Sequence, residues 1–354
     1  MIEKIRGMIA FAREKNILHK IGVAISLTII AVAGYVLYEM LKNLNFSEVV
    51  QAMRNTPPQS ILLAGLCVAA GYFTLTFYDL FALRTIGKND VPYRIAAFAA
   101  FTSYSVGHNV GASVLTGGAV RYRVYSAYGL NAIDVAKICF LAGLTFWLGN
   151  AAVLGLGVAY HPDAASSIDH LPHWMNRILG LCIIAGLTAY VAWVWNRPRV
   201  VGRGTWTVTL PGGQLTLLQI VIGIVDLTFC SLAMYILMPA TPHVAFVVVA
   251  VIFVSATLLG FASHSPGGLG VFDAAMLYGC LHFQSAFDRE ELLASLLLFR
   301  VLYYYVPFAI SLALLSVREL LIGLKAKRVK AAIKHLDDVA QTAQTPPRKP
   351  RSAS

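Results

Sequence analysis

Long uninterrupted runs of apolar residues dominate this chain and restrict it to few folds. About twenty such residues in a helix span the hydrocarbon core of a bilayer. Charged residues make up 13% of the chain, against roughly 25% in a typical soluble domain. The sequence therefore predicts an all-α integral membrane protein with no room for a separate soluble catalytic domain. Six full membrane-spanning helices are expected, over 21–41, 60–83, 134–158, 176–196, 214–238 and 291–316.

Two further apolar stretches, 95–130 and 244–285, are each broken near the middle by glycine motifs. Lipid cannot satisfy free backbone N–H and C=O groups, so such a break needs protein or water around it. Paired interruptions at corresponding places in two halves indicate a transport site between inverted repeats. The motifs are His108-Asn109-Val110-Gly111, Thr116-Gly117-Gly118-Ala119-Val120-Arg121 and His264-Ser265-Pro266-Gly267-Gly268-Leu269-Gly270.

The placement of Lys and Arg predicts the topology, within a net charge of +11. Basic residues are concentrated before Lys20, in the loops 84–94 and 197–213, and after Arg318, whereas 159–175 has none. Because basic segments stay in the cytoplasm, both termini of this multi-pass membrane protein are expected there.

The order of the segments predicts a repeat in each half of the chain, 21–158 and 176–316. Each repeat contains two helices, a broken hairpin and a third helix. Because each repeat crosses the membrane three times, the second repeat is inverted relative to the first. Each hairpin must enter the membrane and return to the side from which it came. Whether they are re-entrant or cross fully is open. The two repeats share an Asp-Leu pair in the second helix, Asp79-Leu80 and Asp226-Leu227.

A glycine-rich helix start suits an anion, because free N–H groups and the helix dipole favour negative charge there. We therefore expect one helix to begin after Thr116-Gly117-Gly118 and another at Ser265-Pro266-Gly267-Gly268, each suited to a lipid phosphate. Arg121 and Arg123 could supply forked donors to the first. The alternative is that the glycines only allow close helix packing.

Ionisable side chains within apolar segments are costly and mark functional sites by default. The candidates here are Asp79, Asp226, Asp273 and Arg300. An internal ion pair, such as Arg300 with Asp226 or Asp273, is the alternative. His108 is either a proton carrier or an interior histidine.

Other features favour ordinary roles. Tyr303-Tyr304-Tyr305 is read as part of an interfacial aromatic belt. The segment 205–213 is read as a cytoplasmic turn at the membrane interface. The histidines of 159–175 match no compact zinc pattern, so no metal and no cofactor are expected.

The segments 106–111, 115–126 and 265–272 resemble the membrane region of the lysylphosphatidylglycerol synthase family, the multiple-peptide-resistance-factor proteins and their shorter flippase-like relatives. The similarity runs from about Leu75 to Leu315. Long members of that family also carry a cytoplasmic aminoacyl-transferase domain, which is expected to be missing here, so no enzyme activity is expected. The resemblance implies that Asp79, Asp226, Asp273 and Arg300 line a headgroup path with these substrate-binding residues: His108, Asn109, Thr116, Gly117, Gly118, Arg121, Arg123, Ser265, Pro266, Gly267, Gly268 and Gly270.

Two functions follow from this interpretation. The first is a flippase-like transporter that moves a phospholipid, aminoacylated phosphatidylglycerol included, between leaflets; its headgroup, anionic or amine-bearing, passes between the hairpins. The alternative is a non-transporting subunit or anchor for a separate lipid-modifying enzyme. An ion-coupled small-solute transporter is a distant third. A membrane phospholipid is the expected partner. A separate synthase or transferase and a second copy of the chain are further partners that the sequence leaves open. Nucleic acid is not expected as a partner.

The two ends of the chain are predicted to lie outside the membrane domain of 21–316. Residues 1–20 read as a basic amphipathic segment in the cytoplasm. Residues 317–354 read as a basic cytoplasmic tail, with an amphipathic helix drawn to anionic lipid and a disordered proline-rich end.

Overall fold

The computed structural model describes residues 45–324 apart from Pro198, Thr205 and His264, together with isolated helical positions between Thr28 and Lys42. The expectations for 1–20, for His264 and for the tail beyond Leu324 lie outside the described residues. The helices are α1 Phe46–Asn55, α2 Pro58–Thr85, α3 Tyr93–Val110, α4 Ser113–Tyr125, α5 Ala132–Tyr160, α6 Pro162–Asp169, α7 His173–Trp195, α8 Gly213–Leu237, α9 Phe246–Ala262, α10 Val271–Phe283 and α11 Arg289–Leu324.

Five of the described helices are long and apolar enough to cross a membrane: α2, α5, α7, α8 and α11. They coincide with five of the six predicted spans, so the all-α membrane class is confirmed. The last helix runs to Leu324 rather than ending at 316, and residues 313–324 belong to a second compact unit, Ala313–Ser354. The first predicted span, 21–41, is described only at isolated positions.

The two interrupted stretches form helical hairpins. In the first, α3 and α4 are separated only by Gly111 and Ala112, both with positive φ. In the second, α9 and α10 are separated by a loop that contains a 3₁₀ turn, Pro266–Gly268. The return helices α4 and α10 have 13 residues each, or about 20 Å of helix. Because the hydrocarbon core is about 30 Å thick, these lengths favour re-entrant hairpins. The predicted repeat and the inverted relation of the two halves stay predictions.

Polar side chains begin the helices that follow the hairpins. Asn131 starts α5 with a capping box, since its side chain accepts from the Asp134 N–H at 2.9 Å while Asp134 accepts from the Asn131 N–H. Asp288 starts α11 and accepts from the N–H groups of Glu290 and Glu291. Such caps satisfy donors that a helix leaves unpaired.

Glycine sets the distance between α5 and α8 at the centre of the bundle. A Cβ added to Gly149 would lie 2.6 Å from the Gly223 Cα, closer than carbon atoms approach without overlap. Small residues let membrane helices pack this tightly because no side chain separates the backbones. The contact brings α8 against the first half of the chain.

The hydrophobic core has two main parts within the described residues. The larger joins α2, α5, α8, α9, α10 and α11. The smaller joins the ends of α2, α3, α4 and α5 and includes Val208. Val208 lies in a β-hairpin, β1 Arg199–Arg203 paired antiparallel with β2 Trp206–Leu210. The segment 205–213 is thus not a turn lying only at an interface: Val208 is buried and Trp206 packs edge-on against Phe140.

Candidate functional site

A cavity of about 430 Å³ lies between the two hairpins. Residues of α3 and α4 line one side, the α9–α10 loop lines another, and α5, α8 and α11 complete the wall. This volume falls in the range of sites for small ligands. The paired interruptions of the sequence therefore meet around one space.

A π turn in α11, Val301–Tyr305, attaches α11 to its neighbours. The Tyr303 carbonyl accepts from the Tyr72 hydroxyl at 3.1 Å, and the Tyr304 carbonyl accepts from the Asn109 amide at 3.3 Å. A π turn interrupts the regular backbone ladder and is frequent at functional sites. Here it presents carbonyl oxygens to side chains from α2 and α3.

Arg300 holds the glycine loop of the second hairpin. Its Nη1 donates to the Gly267 carbonyl at 3.1 Å and its Nη2 to the Gly268 carbonyl at 3.3 Å. The same guanidinium pairs with both oxygens of Asp273, through Nε at 2.6 Å and through Nη2. The ion pair of Arg300 with Asp273, one of the alternatives open from the sequence, is thus present.

The second hairpin does not start its return helix at Ser265-Pro266-Gly267-Gly268. Gly267 and Gly268 have positive φ, which non-glycine residues rarely adopt. The helix begins at Val271, and the Gly270 N–H donates to Asp273 at 3.0 Å. The carboxylate of Asp273 therefore occupies the position that we predicted for a phosphate.

The first hairpin also begins its return helix elsewhere than predicted. Thr116, Gly117 and Gly118 lie inside α4, which starts at Ser113. Thr116 donates to the Gly111 carbonyl at 2.9 Å, across the break. A Cβ on Gly117 would lie 3.0 Å from the Ser103 carbonyl oxygen, so this glycine allows α4 to pack closely on α3. The expected helix start at this motif is wrong, and Gly117 follows the packing alternative.

Arg121 is engaged by Asp79 in a buried cluster. Its Nε and Nη2 contact both carboxylate oxygens of Asp79 at 2.7–3.1 Å, and the Tyr125 hydroxyl donates to the same carboxylate at 2.8 Å. The guanidinium also lies over the Tyr104 ring, 4.7 Å from its centroid. Arg121 lines the cavity. Asp79 accepts from its Nε and Nη2 but not from its Nη1, so the carboxylate engages only one edge of the guanidinium.

Asp226 lies in the cavity wall without a basic partner among the described residues. Its Oδ2 accepts from the Tyr78 hydroxyl at 3.0 Å, and the Cys230 thiol lies 3.8 Å from Oδ1. Its side chain is 4% exposed. A carboxylate held only by neutral donors is costly at this depth.

Several buried polar atoms of α3 have no protein partner in the described part of the chain. They are the hydroxyls of Ser103 and Ser105, the Asn109 carbonyl oxygen and the His108 Nδ1. Ser103 and His108 also line the cavity. Buried polar groups are normally hydrogen-bonded, so this side of the cavity can bind a polar group.

The rim of the cavity is apolar. Val114 and Leu115, which follow the break in the first hairpin, are 67% and 75% exposed. Trp147 and Phe261 on the opposite side are 50% and 44% exposed and pack edge-on against each other. The cavity thus combines polar groups inside with apolar side chains at its edge, which suits an amphiphilic molecule.

The structure separates the predicted site residues into two groups. The residues that line the cavity are His108, Arg121, Ser265, Gly267, Gly268 and Asp226. The other predicted residues are not among the lining residues. Four of them support the wall through hydrogen bonds: Asn109, Asp79, Asp273 and Arg300. The remaining six are Thr116, Gly117, Gly118, Arg123, Pro266 and Gly270. The substrate-binding roles themselves stay predictions.

Sequence reasoning missed the tyrosines of the cavity. Tyr104, Tyr303 and Tyr304 line it, and Tyr303 is 9% exposed. Tyr303 and Tyr305 are therefore buried and are not part of an interfacial belt. Helical spacing offered one signal, since Tyr104 lies one turn before His108 on α3 and their rings are in contact. Among the described residues, no group of three or more His, Cys, Asp or Glu could hold a metal ion.

The fold and cavity define a multi-pass, all-α membrane protein with an amphiphilic cavity between two helical hairpins. The chain belongs to the family described as the lysylphosphatidylglycerol synthase TM region, whose model matches residues 21–311. This family forms the membrane domain of proteins linked to lipid handling.

Three similar proteins illustrate the range of that family. The inner membrane protein YbhN of Escherichia coli is 29% identical over 303 residues, 82% of this chain and 88% of YbhN. An uncharacterized Synechocystis protein, slr0712, is 29% identical over 260 residues, 73% of this chain and 80% of that protein. The phosphatidylglycerol lysyltransferase of Staphylococcus aureus is 27% identical over 287 residues, which are 79% of this chain and 32% of the transferase.

Proposed function

We propose that this protein is a flippase-like transporter that moves a phospholipid headgroup between leaflets through the cavity of the two hairpins. The observation that carries the proposal is the contrast between the polar interior and the exposed apolar rim. A phospholipid needs both, because its headgroup must leave water while its acyl chains remain in lipid. The staphylococcal transferase that shares this membrane region is named for phosphatidylglycerol, which supports a phospholipid as substrate.

Arg121 is the residue best placed to receive the lipid phosphate. It lines the cavity, and Asp79 fixes the edge of the guanidinium that carries Nε and Nη2. A planar guanidinium held in this way is preorganised for a phosphate oxygen. The polar atoms of Ser103 and His108 on α3 would bind further headgroup oxygens.

The membrane setting is part of the proposal. A bacterial inner membrane is the location that we propose, because the similar Escherichia coli protein is named an inner membrane protein. The distribution of Lys and Arg supports a cytoplasmic position for the loops 84–94 and 197–213. Both termini then lie in the cytoplasm. The substrate could come from a separate lipid-modifying enzyme, which would act as a partner.

A transport assay with a filled cavity tests the function. The full chain is reconstituted in vesicles containing a fluorescent phospholipid labelled on its acyl chain, and lipid that reaches the outer leaflet is quenched from outside. Thr257→Trp fills the cavity, since Thr257 lines it. Wild-type protein should accelerate exchange between leaflets, and this variant should lose most of that activity.

Thr188→Trp is the matched control. Thr188 on α7 and Thr257 on α9 both donate to the carbonyl four residues earlier at 2.8 Å, but Thr188 is exposed and does not line the cavity. The control should transport lipid as wild type does. Equal exchange in vesicles with and without wild-type protein would contradict the proposal and favour the non-transporting subunit instead. Equal activity of the two variants would exclude this cavity as the path.

A further inference from the structure

Three carboxylates in or beside the hairpins are buried or partly buried, and two of them are neutralised by arginine. Asp79 pairs with Arg121, and Asp273 pairs with Arg300. Asp226, which corresponds to Asp79 in the second half of the chain, has no basic partner among the described residues. It is also the one of the three that lines the cavity. The site therefore holds a single acidic group that can change its partner.

The groups that face Asp226 are neutral or already paired. Tyr78 of α2 donates to it, and Cys230 lies one turn further along its own helix. Among the described residues of the cavity wall, the only other charged side chain is Arg121 of α4, which Asp79 engages. From α9 the cavity-lining side chains are not titratable. The remaining titratable groups of the described cavity wall are Tyr104 and His108 of α3, Cys139 of α5, and Tyr303 and Tyr304 of α11.

A carboxylate in this setting requires a positive partner. The Tyr78 hydroxyl and the Cys230 thiol do not replace the hydration that an ionised carboxylate has in water. A proton provides the missing charge when the cavity holds no ligand, and a cationic amine provides it when such a headgroup enters. The two cannot neutralise the same carboxylate together, because each uses the one negative charge.

We propose that Asp226 couples transport to protons by binding either a proton or the amine of a headgroup. This inference rests on the proposed transport function. When the headgroup binds, the Asp226 carboxyl releases its proton to water and the carboxylate pairs with the ammonium group. When the amine leaves, the carboxylate takes up a proton again. Over one cycle, one proton crosses the membrane in the direction opposite to one amine-bearing lipid.

A pH gradient should therefore drive amine-bearing lipid across the membrane. Vesicles containing the full chain are made acidic inside, with the membrane potential held at zero by potassium and valinomycin. Phosphatidylethanolamine labelled on its acyl chain should accumulate in the inner leaflet as protons leave. Phosphatidylglycerol with the same label has no amine, so any movement should not respond to the gradient.

Variants of the carboxylate identify Asp226 as the coupling group. Asp226→Asn cannot exchange a proton, so phosphatidylethanolamine should distribute without regard to the gradient. Asp226→Glu keeps the carboxyl and should keep the response. Asp163→Asn, in α6 and outside the cavity, is the matched control and should behave as wild type. A wild type that ignores the gradient, or an Asp226→Asn variant that still responds, would overturn the inference.

Infrared difference spectroscopy follows the proton without requiring transport. Adding phosphatidylethanolamine to the purified protein should remove a protonated-carboxyl band, and this loss should be missing in Asp226→Asn. If the band does not change, proton exchange at Asp226 is excluded even when lipid transport is observed. If the band changes while no lipid crosses the vesicle membrane, the exchange site is supported and the transport function fails.

Discussion

The side-chain amide of Asn109 on α3 bonds the carbonyl of Tyr304 on α11, across 195 positions of sequence. The same amide also donates to the Ser105 carbonyl of its own helix at 2.8 Å. The end of the first hairpin is thus attached to the helix that, through Arg300, holds the loop of the second hairpin. Both broken segments share one support.

Removing the Asn109 amide tests this attachment. Asn109→Ala should lower the free energy of unfolding by about 1–3 kcal/mol, because buried backbone acceptors lose their donor. Asn150→Ala is the matched control, since Asn150 is equally buried, and the one described residue that its amide bonds is Phe146, through the carbonyl within α5. Thermal unfolding in detergent should show the larger loss for Asn109→Ala. Equal losses would mean that the bond to α11 contributes no stability.

The pair of Asp79 and Arg121 predicts strong non-additivity. Asp79→Leu or Arg121→Met alone leaves one buried charge without its partner and should cost about 3–5 kcal/mol of stability. The double variant removes both charges and should be more stable than either single variant. A double-mutant cycle on the melting temperatures of the detergent-solubilised protein measures the coupling. Simple addition of the two losses would show that the charges do not depend on each other.

The glycine contact between α5 and α8 predicts a penalty for one methyl group. Gly149→Ala should destabilise the protein by about 1–3 kcal/mol, since the Cβ would overlap the Gly223 backbone. Gly186→Ala on α7 is the control, because a Cβ there meets nothing within 4 Å. That variant should be neutral or slightly stabilising, as alanine favours helix. Unfolding temperatures that rank the two variants the other way would contradict the close contact.

Cysteine labelling from each side of the membrane tests the predicted topology. Cys182 is exposed and is first replaced by serine. A cysteine at Asp163, in α6, should react with an impermeant reagent from the periplasmic side, because the 159–175 segment lacks Lys and Arg. A cysteine at Val200, 63% exposed in the β-hairpin, should react only from the cytoplasm. Labelling of both from one side would exclude the inverted repeat.

Much of the fold follows from the sequence because long apolar runs have one solution in a bilayer. The spans α2, α5, α7 and α8 begin and end within about three residues of the predicted limits. The places of helix breaks were harder to predict. Gly117 and Gly118 look like a helix start, yet they lie within α4, where small side chains permit packing against α3 and α5. Gly111 and Ala112, six and five residues before Gly117, form the actual break.

The sequence also predicts part of the candidate site. Charged residues within apolar runs stand out, and Arg121 and Asp226 are indeed at the cavity. The pairing of Asp79 with Arg121 depends on the approach of α2 and α4, which no local pattern encodes. A run of tyrosines does not reveal which side of a helix is buried, so the sequence predicts an interfacial position for Tyr303 and Tyr304 where the structure has them at the cavity.

The π turn makes Val301–Tyr305 a segment of this chain whose length decides how the following part of α11 packs. A π turn contains an extra residue, which rotates the following helix by about 100° relative to a regular α-helix. Deleting one residue from 301–305 would restore the regular ladder and turn Ser311, which bonds the Thr102 carbonyl at 3.4 Å, away from α3. A relative that lacks one residue in this segment would therefore have to hold its hairpins by other contacts.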